Sequence, residues 1–137
     1  MARVLSFDYG TKRIGIAVTD PMQIIASGLD VIHPDKVFEF IKNYLQQEEV
    51  ERFVVGEAKD MRGNDSRSMS HIKGFVRKLE REFPEIPITM IDERFTSKIA
   101  KDSILSLGLS KSKRSNKELV DKVSATIILQ SYLETQQ

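Results

Sequence analysis

The chain contains no cysteine, which excludes disulfides, thiolate metal sites and cysteine nucleophiles. Histidine is almost as scarce. His33 and His71 are the only two, too few for a histidine-rich zinc site and a poor basis for a Ser-His-Asp triad. No apolar run is long enough to cross a bilayer, and Met1-Ala2-Arg3-Val4 leads straight into strand-like residues, without the charged head, apolar centre and cleavage site of a signal peptide. The cytoplasm is the expected compartment and no membrane partner is expected. Internal repeats and linkers are missing too, and no cluster of aromatics along the chain announces a platform for stacking single-stranded bases.

What is present is a composition of 40% apolar and 30% charged residues over 137 positions, the profile of one globular domain spanning 1–137. The net charge of +1 conceals an uneven distribution. Residues 30–60 carry four basic and eight acidic side chains, whereas Lys98–Lys122 carry seven basic and three acidic ones. That local surplus reads either as a phosphate footprint or as an ordinary solvated loop and helix face.

Arg3–Tyr9 ends at Gly10 and reads as a strand followed by a turn. Arg13–Thr19 is a second strand and Ile25–Ile32 a third. The short connections between them predict an antiparallel meander. Asp35 can cap a helix carrying Val37, Phe38, Ile41, Tyr44 and Leu45 at helical spacing. A short strand follows at Arg52–Gly56. After the polar Gly63-Asn64-Asp65-Ser66 comes a helix with a core stripe of Met69, Ile72, Val76, Leu79 and Phe83. Pro87–Asp92 is a fifth strand, Thr96–Leu107 a third helix ending at Gly108, and Ser115 with Glu118 forms a capping box for a last helix reaching about Leu133. The order β-β-β-α-β-α-β-α-α predicts an α/β fold, a mixed five-stranded sheet flanked by helices.

Carboxylates stand at three places that structure alone explains poorly. Asp8 ends an apolar strand on the face shared by Val4 and Ser6, where it lowers β-propensity and loses solvent; closing the turn before Gly10 is its structural alternative. Asp92 and Glu93 end the fifth strand next to Arg94, and strand alternation lets only one of the pair face Asp8. Asp121 falls on the helical face of Ala125, Ile128 and Tyr132, although a helix N-terminus favours an aspartate in any case. Together, oxygen ligands without histidine or cysteine suit Mg²⁺ or Mn²⁺, which would also relieve the repulsion among clustered carboxylates. A metal-activated water needs no protein base, in keeping with the scarcity of histidine. Lys12 and Arg13 could hold phosphate beside such a metal, and amides near Gly63–Ser66 could contact a substrate backbone.

The segments FDYGTKRIGIAVTD (7–20), VVG (54–56) with Gly63 after it, DERFTS (92–97) and DKVSATIILQSYL (121–133) resemble the YqgF/RuvX family of Holliday-junction-resolvase-like nucleases, in order and over essentially the whole chain. The resemblance implies a ribonuclease-H-like fold with Asp8, Glu93 and Asp121 as catalytic, metal-binding carboxylates. It further implies metal-dependent endonucleolytic hydrolysis, with the 5′ end of precursor 16S ribosomal RNA as substrate and branched DNA as the alternative. Lys12, Arg13, Arg94, Lys111, Lys113 and Arg114 are the candidate nucleic-acid contacts. Two departures stand out: Glu57-Ala58-Lys59 where the family usually has Leu-Pro, and Ser124 where alanine is usual. Two other classes compete. Asp8-x-Gly-Thr also looks like the phosphate turn of actin-like ATPases and sugar kinases, but those close two lobes over a nucleotide and 137 residues supply one. A non-catalytic ribosome-assembly factor is the second, and retention of all three carboxylates argues against it.

Overall fold

The computed structural model describes residues 2–57, 69–92 and 117–136. Among them are five strands, β1 (Arg3–Asp8), β2 (Ile14–Thr19), β3 (Ala26–Ile32), β4 (Val50–Glu57) and β5 (Ile88–Asp92), and three α-helices, α1 (Val37–Gln47), α2 (Met69–Glu82) and α3 (Lys117–Thr135). One sheet holds all five strands in the order β3-β2-β1-β4-β5. β1, β2 and β3 form the expected antiparallel meander, while β4 and β5 run parallel to β1, so the sheet is mixed. The helix expected at Thr96–Leu107, its Gly108 end and the capping residue Ser115 lie outside the described residues.

Strand alternation divides the core into two clusters. Leu5, Phe7, Ile14, Ile16, Phe53 and Val55 face α1 and α2, where Val37, Ile41, Ile72 and Leu79 cover them. Val4, Ala17 and Val54 face the other way and are covered by Ala125, Ile128, Leu129 and Leu133 of α3. Within α2 the stripe differs in one member. Phe75, absent from the expected set, is buried, whereas Val76 and Phe83 are only partly covered. Phe75 earns its place through ring contacts: its centroid lies 5.5 Å from that of Phe7 at 75°.

The start of α1 also departs from expectation. Asp35 sits inside a 3-10 turn, Pro34–Lys36, and His33 caps that turn instead, its Nδ1 accepting from the Asp35 amide at 3.1 Å. Lys36 at the α1 N-cap makes no side-chain cap bond. The proline after His33 presets the turn geometry that shifts the cap upstream. No helix among the described residues is long and apolar enough to cross a membrane.

The β2–β3 connection is closed by Asp20, whose carboxylate accepts from the amides of Met22 (3.1 Å), Ile24 (2.8 Å) and Ile25 (2.8 Å). The Ile25 amide is the main cause holding this carboxyl below its ordinary value, opposed by partial desolvation and reinforced by Ile24 and Met22. A lowered folded-state pKa places the turn's stabilisation above the ordinary carboxylate range, near pH 4, and removes it as pH falls through the folded value. Acidification below about pH 4 should therefore move the Ile24 and Ile25 amide resonances in an NMR titration. The same change should be missing from Asp20→Ala.

Candidate active site

The parallel strands β1, β4 and β5 end together. Phe7 pairs with Val55 and Glu57 with Asp92, so Asp8, Glu57 and Asp92 all lie along the carboxyl edge of the sheet. In open α/β sheets this edge is where ligands bind. The two faces sort the acids. Asp8 follows Val4 and Ser6 on the α3 face: Val4 belongs to the α3 cluster, and the buried Ser6 hydroxyl donates to the Ala125 carbonyl at 2.7 Å. Glu57 alternates with Phe53 and Val55 on the α1–α2 face. Ile91 packs in the α3 cluster while Ile88 and Met90 pack in the other, so Asp92 faces α1–α2, away from Asp8. Of the Asp92–Glu93 pair, Asp92 is thus on the wrong face to join Asp8. Glu93 and Arg94 lie outside the described residues, as do Lys111, Lys113, Arg114 and Gly63–Ser66.

Asp121 reaches the same face from α3. Its turn of helix is seated on Gly15, the residue paired with Asp8 in the β1–β2 ladder. A Cβ built on Gly15 would stand 2.2 Å from the Asp121 carbonyl oxygen and 3.4 Å from its Cα. Only glycine lets the helix backbone come so close, and the approach sets Asp121 beside the end of β1. The expected face of Ala125, Ile128 and Tyr132 is buried as the spacing indicated.

Arg13 donates through Nε to Asp121 Oδ2 at 2.7 Å. Both side chains are partly exposed, 34% and 23%, so solvent screening keeps the pair's contribution to stability at or below about 1 kcal/mol. Its geometric effect is larger: one carboxylate oxygen of Asp121 is fixed. The sequence suggested Arg13 as a phosphate contact; the structure places its guanidinium on a carboxylate 108 residues away. Lys12, next to it, is exposed.

The donor set on this face fits a hard divalent cation. Asp8 and Asp121 offer carboxylate oxygens, and the chain has no cysteine to bring thiolate sulfur to them. Among the described residues no group of three potential ligands occurs, so two of the three expected carboxylates are placed and the third, Glu93, lies outside them. Sequence reasoning missed Gly15 and the role of Arg13 towards Asp121. The first had a signal, a glycine inside a strand of mostly β-branched residues, which often marks a close backbone approach.

Residues 2–135 match the family described as "RuvX: Holliday junction resolvase". The chain belongs to the RuvX family. A relative from Bacteroides fragilis, named "Putative pre-16S rRNA nuclease", is 51% identical over 135 residues, 98% of each chain. Among solved structures, Thermus thermophilus RuvC in complex with a Holliday junction substrate aligns with a TM-score of 0.58 at 18% identity, over 98% of this chain and 96% of that one. The fowlpox virus resolvase in complex with Holliday junction DNA aligns at 0.62 and 12% identity, over 98% of both chains. These two likenesses establish the ribonuclease-H-like fold of this RuvX chain.

Proposed function

We propose that this RuvX chain is a divalent-metal-dependent endonuclease that processes the 5′ end of precursor 16S ribosomal RNA in the cytoplasm, with residues 1–137 forming one nuclease domain. That it is a nuclease, a hydrolase of phosphodiester bonds, follows from its family and from relatives about half identical over nearly its full length. The observation that carries the metal site is the seating of Asp121 on Gly15, which gathers it and Asp8 on one face at the carboxyl edge of the sheet.

Asp8, Glu93 and Asp121 would hold Mg²⁺ or Mn²⁺, and such an ion supplies charge neutralisation at the phosphate and activation of the attacking water. The chain's own residues do the rest. Arg13 holds Oδ2 of Asp121 and so fixes the orientation of that carboxylate, leaving Oδ1 outside this bond. Lys12, exposed in the turn after β1, neutralises a substrate phosphate. Arg94, Lys111, Lys113 and Arg114 extend that contact along the strand.

Incubating the pure protein with precursor 16S RNA and with a four-way DNA junction, each with Mn²⁺ or with chelator, tests the reading. Cleavage of the RNA that chelator abolishes is the expected result. Cleavage of the junction alone would instead support resolvase activity, which the family's description and the two resolvase-like structures favour as the second reading. Arg13→Gln separates orientation from stability. Urea unfolding should shift by less than about 1 kcal/mol. Calorimetric Mn²⁺ affinity should fall about tenfold, as when a partner that orients a metal ligand is removed.

A further inference from the structure

Beyond β1 the chain turns Tyr9 to the face opposite Asp121, at the margin of the α1–α2 layer. Its ring lies 5.0 Å from that of Phe75, with the planes 31° apart. Phe75 in turn meets Phe38 edge-on at 5.7 Å. These three rings stand far apart in sequence, so the aromatic cluster that the sequence did not reveal is made by the fold. Tyr9 and Phe38 are partly exposed, and the rings floor an open recess of about 380 Å³.

The exposed face of α2 forms one wall. His71, Gly74 and Lys78 occupy successive turns of that face. A Cβ on Gly74 would meet nothing within 4 Å, and its backbone is helical. Neither crowding nor an unusual φ calls for glycine, which is the weakest helix former after proline. What the missing side chain does is leave a notch between an imidazole and an ammonium group, open above the Tyr9 and Phe75 rings. Lys78 Nζ sits 4.3 Å from the Phe38 centroid, at the rim.

Around the aromatic floor stand the Lys78 ammonium and the His71 imidazole on α2, and the exposed Asp35 carboxylate ahead of α1. This arrangement matches a planar heterocycle whose ring stacks on the floor and whose phosphate lies on the α2 side. We infer that this recess takes one unstacked nucleobase of the substrate RNA, its ring against Tyr9 above Gly74 and its phosphate beside His71 and Lys78. The inference rests on the nuclease reading: the recess opens on the α1–α2 face, across the end of β1 from Asp8, so the base it takes belongs to a nucleotide that has passed over the sheet edge from the bond being cut. A subsite of this kind is tolerant of sequence, since every base has a π face. It requires an unpaired nucleotide near the cleavage point, which a fully paired junction arm does not offer.

The test is a fluorescence titration of a single-stranded RNA oligonucleotide carrying one 2-aminopurine, whose emission is quenched on stacking, with full-length protein in chelator. Cleavage of the same RNA in Mn²⁺ is followed alongside. Wild type should quench the probe. Gly74→Gln, which fills the notch and improves helix propensity, should lose the quenching and bind about tenfold more weakly, with no drop in melting temperature. Tyr9→Leu should do the same. Equal quenching and affinity in wild type and Gly74→Gln, with cleavage intact, overturns the recess and leaves the nuclease reading standing. Absence of quenching by wild type at saturating protein also overturns it. Quenching that is lost in Gly74→Gln although wild type cleaves nothing in Mn²⁺ supports the recess and overturns the nuclease reading.

Discussion

Asp8→Asn should reduce metal-dependent cleavage of precursor RNA by at least about 10²-fold, because even partners of metal ligands are worth 10- to 100-fold. Asparagine keeps the shape of the side chain but replaces an anionic oxygen ligand with a neutral amide, a weak donor for Mg²⁺ or Mn²⁺. Asp8 stands at the last position of β1, where only the preceding Ser6 and Val4 lie deep under α3, so the substitution leaves the core intact. Urea unfolding in chelator should accordingly move by no more than about 1 kcal/mol. Rate and stability thus separate. Cleavage at the wild-type rate would remove Asp8 from the metal site, whatever the fate of the other carboxylates.

Gly15→Ala should act on both quantities at once. Its new methyl group would stand 2.2 Å from the Asp121 carbonyl oxygen and 2.7 Å from the carbonyl carbon, both backbone atoms of α3 that cannot swing aside. The helix must lift from the sheet, at a cost of about 1–3 kcal/mol for overpacking. Lifting it carries Asp121 away from the end of β1, and a displacement near 1 Å at a reacting centre can cost about 10²-fold in rate. Gly28→Ala is the control. There the nearest atoms are Lys122 Cγ and Cδ, at 2.4 and 2.7 Å, in a side chain that can adopt another rotamer. Its cost should be about 1 kcal/mol, with cleavage little changed. Should Gly15→Ala unfold no more easily than Gly28→Ala, α3 is not seated on the sheet through Gly15.

Much of this was legible in the residues because the signals were local. Alternation within β1 put Val4, Ser6 and Asp8 on one face, and the 3.6-residue period put Asp121 with Ala125 and Ile128 on another, before any packing was known. The resemblance to RuvX added Glu93 over Asp92, and the alternation of Ile88, Met90 and Ile91 independently turns Asp92 away from Asp8. What local signals could not supply is everything made by contacts distant in sequence. The Arg13–Asp121 pair spans 108 positions, so a basic residue beside a turn looked like a phosphate contact. The Tyr9–Phe75–Phe38 cluster forms only when α1 and α2 settle on β1. His33 displaced Asp35 as the cap because Pro34 imposed a 3-10 turn first, a detail finer than a capping rule resolves.

The seating of α3 on β2 bears on synthesis as well as on catalysis. Every strand of the sheet precedes α3 in the chain. While those strands emerge from the ribosome, Val4, Ala17 and Val54 have no cover on one face, and the site has Asp8 without Asp121. Covering that face and bringing Asp121 to the end of β1 are then a single event, the docking of one helix. A growing chain that has not yet delivered α3 therefore lacks both the cover of that face and Asp121.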